Sequence, residues 1–159
     1  LVYIGSSSDD EINPAVSSVA RTTGIGQFLV VYERNISGSW SAMRQAVTDG
    51  GGLDYGGVLG ASNGSSLAGA GSESTQEYLV AWPSAAGTVL RAATVSTTGE
   101  MGPIQPPISN LSVPLNPAIA SGYRGDYLII DQDYYSGYPI DIFGYLWGTR
   151  LFLPVAIKR

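Results

Sequence analysis

The chain has 159 residues, 44% of them hydrophobic and only 13% charged, with a net charge of −5. A charged share about half the usual one excludes a disordered segment, and an acidic balance with scattered arginines and a single lysine, Lys158, excludes a nucleic-acid partner. The absence of His and Cys removes imidazole bases, catalytic triads, thiol nucleophiles, disulfides and the usual zinc sites together.

Twenty-one glycines and nine prolines, set among β-branched and aromatic residues, predict short strands joined by tight turns. No run approaches the roughly 18–20 apolar residues of a membrane-spanning helix, so no membrane span is expected. The chain opens at Leu1 without Met, which predicts that a leader or upstream region has been removed.

In chain order, Val2-Tyr3-Ile4 opens a segment, residues 1–8, that reads as an extra closing strand. The first unit, about 13–62, starts at Asn13-Pro14-Ala15-Val16 and passes through a polar turn into Phe28-Leu29-Val30-Val31-Tyr32. A Gly/Ser loop, an alternating strand over 41–47, a Thr48-Asp49-Gly50 turn and a closing strand at 57–60 complete it. The second unit, about 63–112, has lost the Asn-Pro start but keeps Tyr78-Leu79-Val80-Ala81-Trp82, an alternating strand over 89–95 and a closing strand at 104–108. Prolines 103, 106 and 107 predict a sheet edge there, because proline cannot donate to a ladder. The third unit, about 113–159, repeats the pattern with Asn116-Pro117-Ala118-Ile119, Tyr127-Leu128-Ile129-Ile130-Asp131, a strand over 140–147 and a last strand over 151–157.

The leading aromatics 28, 78 and 127 are spaced by 50 and 49 residues. Self-similarity at such a period marks a repeat architecture, in which no unit can bury its apolar face alone. Each aromatic-led run of four or five apolar residues fits a strand covered on both faces, so Leu29, Val30, Leu79, Val80, Leu128 and Ile129 are expected to be buried. The predicted fold is all-β: one domain of three four-stranded antiparallel repeats of β-propeller type, the alternative being a β-sandwich with Greek-key connections. The Asn-Pro-Ala-(Val/Ile) strand, the aromatic-Leu run and Asp141-Ile142-Phe143-Gly144 resemble secreted prokaryotic β-propeller-like repeat proteins over nearly the whole chain. That resemblance implies a fold and no particular activity. Closed propellers have at least four units, typically four to eight, and three fall short.

Carboxylates carry what chemistry remains. Asp131 and Asp133, one residue apart, are the candidate calcium ligands. The segment lacks the glycine and distal acid of a calcium loop, and solvated turn carboxylates are the plainer reading. Two acids at a set separation would serve glycoside hydrolysis, but no pair stands out, and no enzyme is expected. Tyr134, Tyr135 and Tyr138 cluster beside the two aspartates in a loop suited to sugar stacking or protein contact. Trp82 and Trp147 read as core. Asn35, Asn63 and Asn110 each head an Asn-x-Ser sequon and are glycosylation candidates.

The leading functional expectation is a non-catalytic extracellular or cell-surface protein, structural or adhesive, acting through self-assembly as a homo-oligomer or polymer. The alternatives are a carbohydrate-binding, lectin-like module with glycan partners, and a fragment of a larger propeller protein. No cofactor and no metal are expected, because no site offers four convergent strong ligands. A chelator should therefore leave the melting temperature unchanged; a fall of many degrees would reveal a structural cation held by Asp131 and Asp133.

Overall fold

The computed structural model describes residues 2–4, 8–20, 22, 24, 26–105, 114–133, 141–148 and 153–156. They form eleven strands: β1 (Glu11–Ala20), β2 (Gly26–Ile36), β3 (Ser39–Thr48), β4 (Leu53–Ala61), β5 (Ala68–Ser72), β6 (Glu77–Pro83), β7 (Leu90–Ser96), β8 (Pro114–Ser121), β9 (Tyr127–Asp133), β10 (Asp141–Trp147) and β11 (Leu153–Ala156). No helix occurs among the described residues. Strands β1–β4 make sheet one, β5–β7 sheet two and β8–β11 sheet three. Every strand pairs antiparallel with its sequence neighbour. The chain therefore meanders through each sheet, and the Greek-key sandwich is not what forms.

The Asn-Pro motif has a structural role. Asn13 and Asn116 have φ of 53° and 51°, the left-handed region that Asn tolerates better than most residues. A β-bulge falls at each place, between Ile12 and Ala15 and between Leu115 and Ala118. The following proline has no N–H to lose from the ladder. In sheet one the bulge is held by Asn13 Nδ2 donating to the buried Glu33 carboxylate at 2.9 Å. In sheet three Asn116 Nδ2 reaches Gln132 at 3.5 Å. Glu33 and Gln132 both stand five residues past the leading aromatic of their unit. The second unit has Pro83 at that place and no Asn-Pro, and its first strand pairs without a bulge.

The three sheets stack face to face. One core cluster joins Val19, Leu29 and Val31 of sheet one to Tyr78, Val80 and Trp82 of sheet two. A second joins Leu79, Ala81 and Ala92 of sheet two to Tyr127, Ile129 and Tyr145 of sheet three. The first, third and fifth residues of a run point to the side of the preceding unit and the second and fourth to the side of the following one, so those of runs two and three, and of runs one and two, respectively, are covered. Sheet two has a neighbour on both sides, so every residue of β6 from Tyr78 to Pro83 is buried. The outer sheets have one covered face, which corrects the expectation of double coverage in all three runs: Leu128 is 39% exposed and Val30 is half-buried.

The second unit also departs from four strands. Past β7, Met101 bridges Val95, Gly102 N donates to Thr94 O and Gln105 N to Ala92 O, both at 2.9 Å. The chain thus runs beside β7 without a regular ladder, since Pro103 brings no donor. The remainder of the expected 104–108 strand lies outside the described residues.

At the front of the chain, Arg34 Nη2 meets Asp9 Oδ2 at 2.6 Å and Asn35 N donates to Asp10 O at 2.9 Å. Val2, Tyr3 and Ile4 belong to no strand. Val2 lies against Gly51, and Ile4 lines a cavity with Val30 and Tyr32, so this segment crosses the outer face of sheet one.

The first strands of the units, β1, β5 and β8, lie side by side, β5 touching both others. Their approach is close enough that a Cβ on Gly71 would fall 2.6 Å from the Ser18 carbonyl oxygen. Backbone cannot retreat as a side chain can, so Gly71→Ala should cost about 1–3 kcal/mol by overpacking. Gly26→Ala, whose Cβ would meet Asp49 Cβ at an ordinary 3.6 Å, should change stability by less than about 0.5 kcal/mol. Urea unfolding of the two variants checks the contrast.

Candidate functional site

Two clefts open at opposite ends of the strands. The one at the end where β6 finishes, about 410 Å³, is lined by Gly60, Ala61, Trp82, Ser84, Arg91 and Ile104 among others. Its position follows from the stacking. Trp82 is the fifth residue of the aromatic-led run and points toward sheet one. Arg91 is its cross-strand partner on β7 and shares that face. Gly60 on β4 lets the indole approach, since a Cβ there would lie 3.1 Å from Trp82 Cζ2. The loop after β6 is closed by Ser84 N donating to Val89 O at 2.8 Å and Gly87 N to Ser84 O at 2.7 Å.

Polar atoms beneath this cleft make it more than a gap in the packing. Trp82 Nε1 and Ser84 Oγ are buried and have no hydrogen-bond partner. An unsatisfied buried donor costs about 1–3 kcal/mol, and a hydroxyl oxygen entering the cleft would satisfy it. Arg91 adds guanidinium donors at the side, while Ala61, Ala85, Ala86, Val89 and Ile104 supply an apolar lining. The Trp82 ring lies fully buried beneath the cleft, so what the cleft offers is an apolar lining with a few convergent polar groups, the general form of a small-molecule site. No carboxylate is among the described residues that line it.

The cleft at the other end, about 700 Å³, spans the ends of β1, β5 and β8 through Ser18, Ser72 and Ser121, with Glu73, Arg124 and a 96% exposed Tyr123 at its rim. Among the described residues that line it, none has a buried polar side-chain atom without a partner.

The site residues marked in the sequence are distributed differently. Asp131 lies within β9, buried, on the face toward sheet two at the place Trp82 holds in its own unit. Asp133 ends β9, opposite Asp141 and Pro114 in register. Tyr134, Tyr135 and Tyr138 lie outside the described residues, as does Asn110. Asn35 sits at a two-residue hairpin with Ser37 and Gly38 at φ 53° and 86°, a type I′ geometry, and its Oδ1 accepts from Gly38 N at 2.8 Å. Asn63 Oδ1 accepts from Ser65 N and Oγ. The cleft at Trp82 was not among the sequence candidates. Trp82 reads as core from its run, and only the β6–β7 register places Arg91 beside it.

No protein-family profile and no curated protein sequence matches the chain. Among solved structures it is similar to a fucose lectin from Kordia zhangzhouensis, solved in complex with methyl-fucoside, with a TM-score of 0.52 and 13% sequence identity. The alignment covers 91% of this chain and 100% of the lectin chain. At that identity the likeness is one of fold.

The partnerless hydroxyl of Ser84 distinguishes this site from a packing defect. Ser84→Ala removes a buried group that bonds to nothing, so the melting temperature should hold or rise. Trp82→Ala should cost about 3–5 kcal/mol through the cavity it leaves. Thermal and denaturant melts of both variants test this; a loss above about 1 kcal/mol for Ser84→Ala would show that its hydroxyl supports the fold.

Proposed function

We propose that the protein is a carbohydrate-binding module of lectin type, without catalytic activity, that acts outside the cell or at a cell surface. The observation that carries this reading is the cleft of Trp82, Ser84 and Arg91, on a fold similar to that of a fucose lectin. A sugar ring offers an apolar C–H face to an aromatic or aliphatic surface and hydroxyls to nearby donors. The half-buried Arg91 guanidinium and the Ser84 hydroxyl at the cleft wall are donors of that kind. A deoxysugar, with a methyl group in place of one hydroxyl, matches the alanine-rich side of the lining. The absence of a carboxylate among the described residues that line the cleft supports binding without turnover, because glycoside hydrolysis requires a pair of them.

The test is titration with methyl-fucoside and a panel of other monosaccharides, read by calorimetry and tryptophan fluorescence, with a glycan array alongside. A saturable signal is expected, with Arg91→Ala and Ser84→Ala each weakening it about tenfold or more, that is by ~1.4 kcal/mol. Neither variant should alter the β-sheet circular dichroism. No binding to any glycan, or binding indifferent to both substitutions, would sink the proposal.

A further inference from the structure

We infer that the outer faces of sheets one and three are the two halves of one more sheet-to-sheet junction, closed by a second copy of this chain docking head to tail. The outer face of sheet three presents Ala118, Ala120, Leu128, Ile130, Ile142 and Leu146, with register partners Ala118–Ile130, Ala120–Leu128 and Leu128–Leu146. None carries a charge, and all six are exposed. The outer face of sheet one presents Val16, Phe28, Val30 and Val58, with Val16 65% and Val58 53% exposed. Contiguous apolar faces of this kind on a chain with so few charges mark contact surfaces.

The repeat identifies the occupant. Leu128 and Ile130 are the second and fourth residues of the third run. At the same places Leu29 and Val31, and then Leu79 and Ala81, are buried against the unit that follows. Phe28 and Val30 are the first and third residues of the first run. At those places Tyr78 and Val80, and then Tyr127 and Ile129, are buried against the unit that precedes. Sheet three thus offers the face that receives a next unit, and sheet one the face that a preceding unit covers. A surface that suits both is another copy of the same chain.

Stoichiometry follows from closure. A head-to-tail contact makes a ring when its rotation closes, and propeller rings typically hold four to eight units. One chain has three units, two chains have six, and three chains exceed the usual range. One bond of the internal junctions has no counterpart on the sheet-one face. Tyr78 Oη donates to Gln27 O at 2.9 Å and Tyr127 Oη to Glu77 O at 3.1 Å, each reaching the carbonyl just before the leading aromatic of the preceding unit. Phe28 has no hydroxyl to do so, so this junction should be weaker than the internal ones. Residues 2–4 lie across part of the sheet-one face, so docking moves them aside.

The experiment is light scattering of the full chain across a concentration series, alone and with one substitution per face. The expected mass is twice the 16.6 kDa of one chain, falling toward the single-chain value on dilution. Val58→Arg and Ile142→Arg, both at exposed positions, should each give monomers with unchanged β-sheet circular dichroism; Val16→Arg and Leu128→Arg serve if either fails to fold. An equal mixture of the two face variants should recover some dimer, because one junction of the mixed pair is intact. A chain lacking residues 1–8 should dimerise at lower concentration than the full chain. Monomers up to about 100 µM would overturn the inference, and would indicate that further units of a longer chain cover these faces. Dissociation by only one of the two variants would overturn head-to-tail docking in favour of like faces pairing. A mass that grows past two copies would overturn ring closure, and loss of the dimer without residues 1–8 would overturn the displacement.

Discussion

The whole arrangement depends on sheet two having both faces covered. Its central strand β6 is apolar at consecutive positions, Tyr78 through Pro83, and every one of them is buried. A strand whose side chains alternate between two faces can bury such a run only if a layer stands on each side. Sheets one and three are those layers, and each gains its own core by supplying one. Remove either and half of β6 would face water. This is why the order of the sheets in space follows the order of the units in the chain. It is also why β5 is built of alanine, glycine and one serine: where the first strands meet, larger side chains would hold the layers apart.

Polar groups set the register of the stack that apolar burial alone would leave sliding. The hydroxyls of Tyr78 and Tyr127 each cross to a backbone carbonyl of the previous unit. Burial raises the pKa of Tyr127 above its ordinary value, opposed by its hydrogen bond with Thr75, so the hydroxyl remains a donor at neutral pH. Gln27 adds Nε2 bonds to Asp54 at 3.0 Å and to Thr97 O at 3.2 Å, tying sheet one to the turn after β7. The buried Glu33 carboxylate accepts from Asn13 and also from Gly64 N at 3.1 Å. It thereby fastens the link between the first two units to the bulge that opens the first strand. Hydrogen bonds to a buried charge are worth more than neutral ones and cost more to lose, so these contacts select one stacking register.

The same layering places the candidate site. The fifth residue of the second run lies next to the end of its strand on the face toward sheet one, where sheets one and two begin to part. In unit one the fifth residue is Tyr32, in unit two Trp82 and in unit three Asp131, so one structural position carries three different side chains. Tyr32 and Asp131 pair with Met43 and Phe143, whereas Trp82 has an arginine as its partner across the sheet and a serine nearby in a cleft of ligand size. Divergence between the units, rather than their likeness, makes this place chemically distinct.

The sequence by itself determined the all-β class, the three units and the strands built on the aromatic-led runs. Those features are written in local order: a period near fifty residues, alternation within strands, and glycine and proline at turns. It also determined the absence of imidazole and thiol chemistry. It did not determine which runs would be buried on both faces. Leu79 and Leu128 hold the same place in nearly the same motif, yet one is fully buried and the other 39% exposed. The difference lies in whether another layer follows, which no local pattern encodes. Nor did it reveal that Asn-Pro makes a bulge braced by a side chain about sixteen to twenty residues away, or that Trp82 borders a cleft. Both depend on register, and register is decided only when strands pair and sheets stack, because a side chain's neighbours there come from distant parts of the chain.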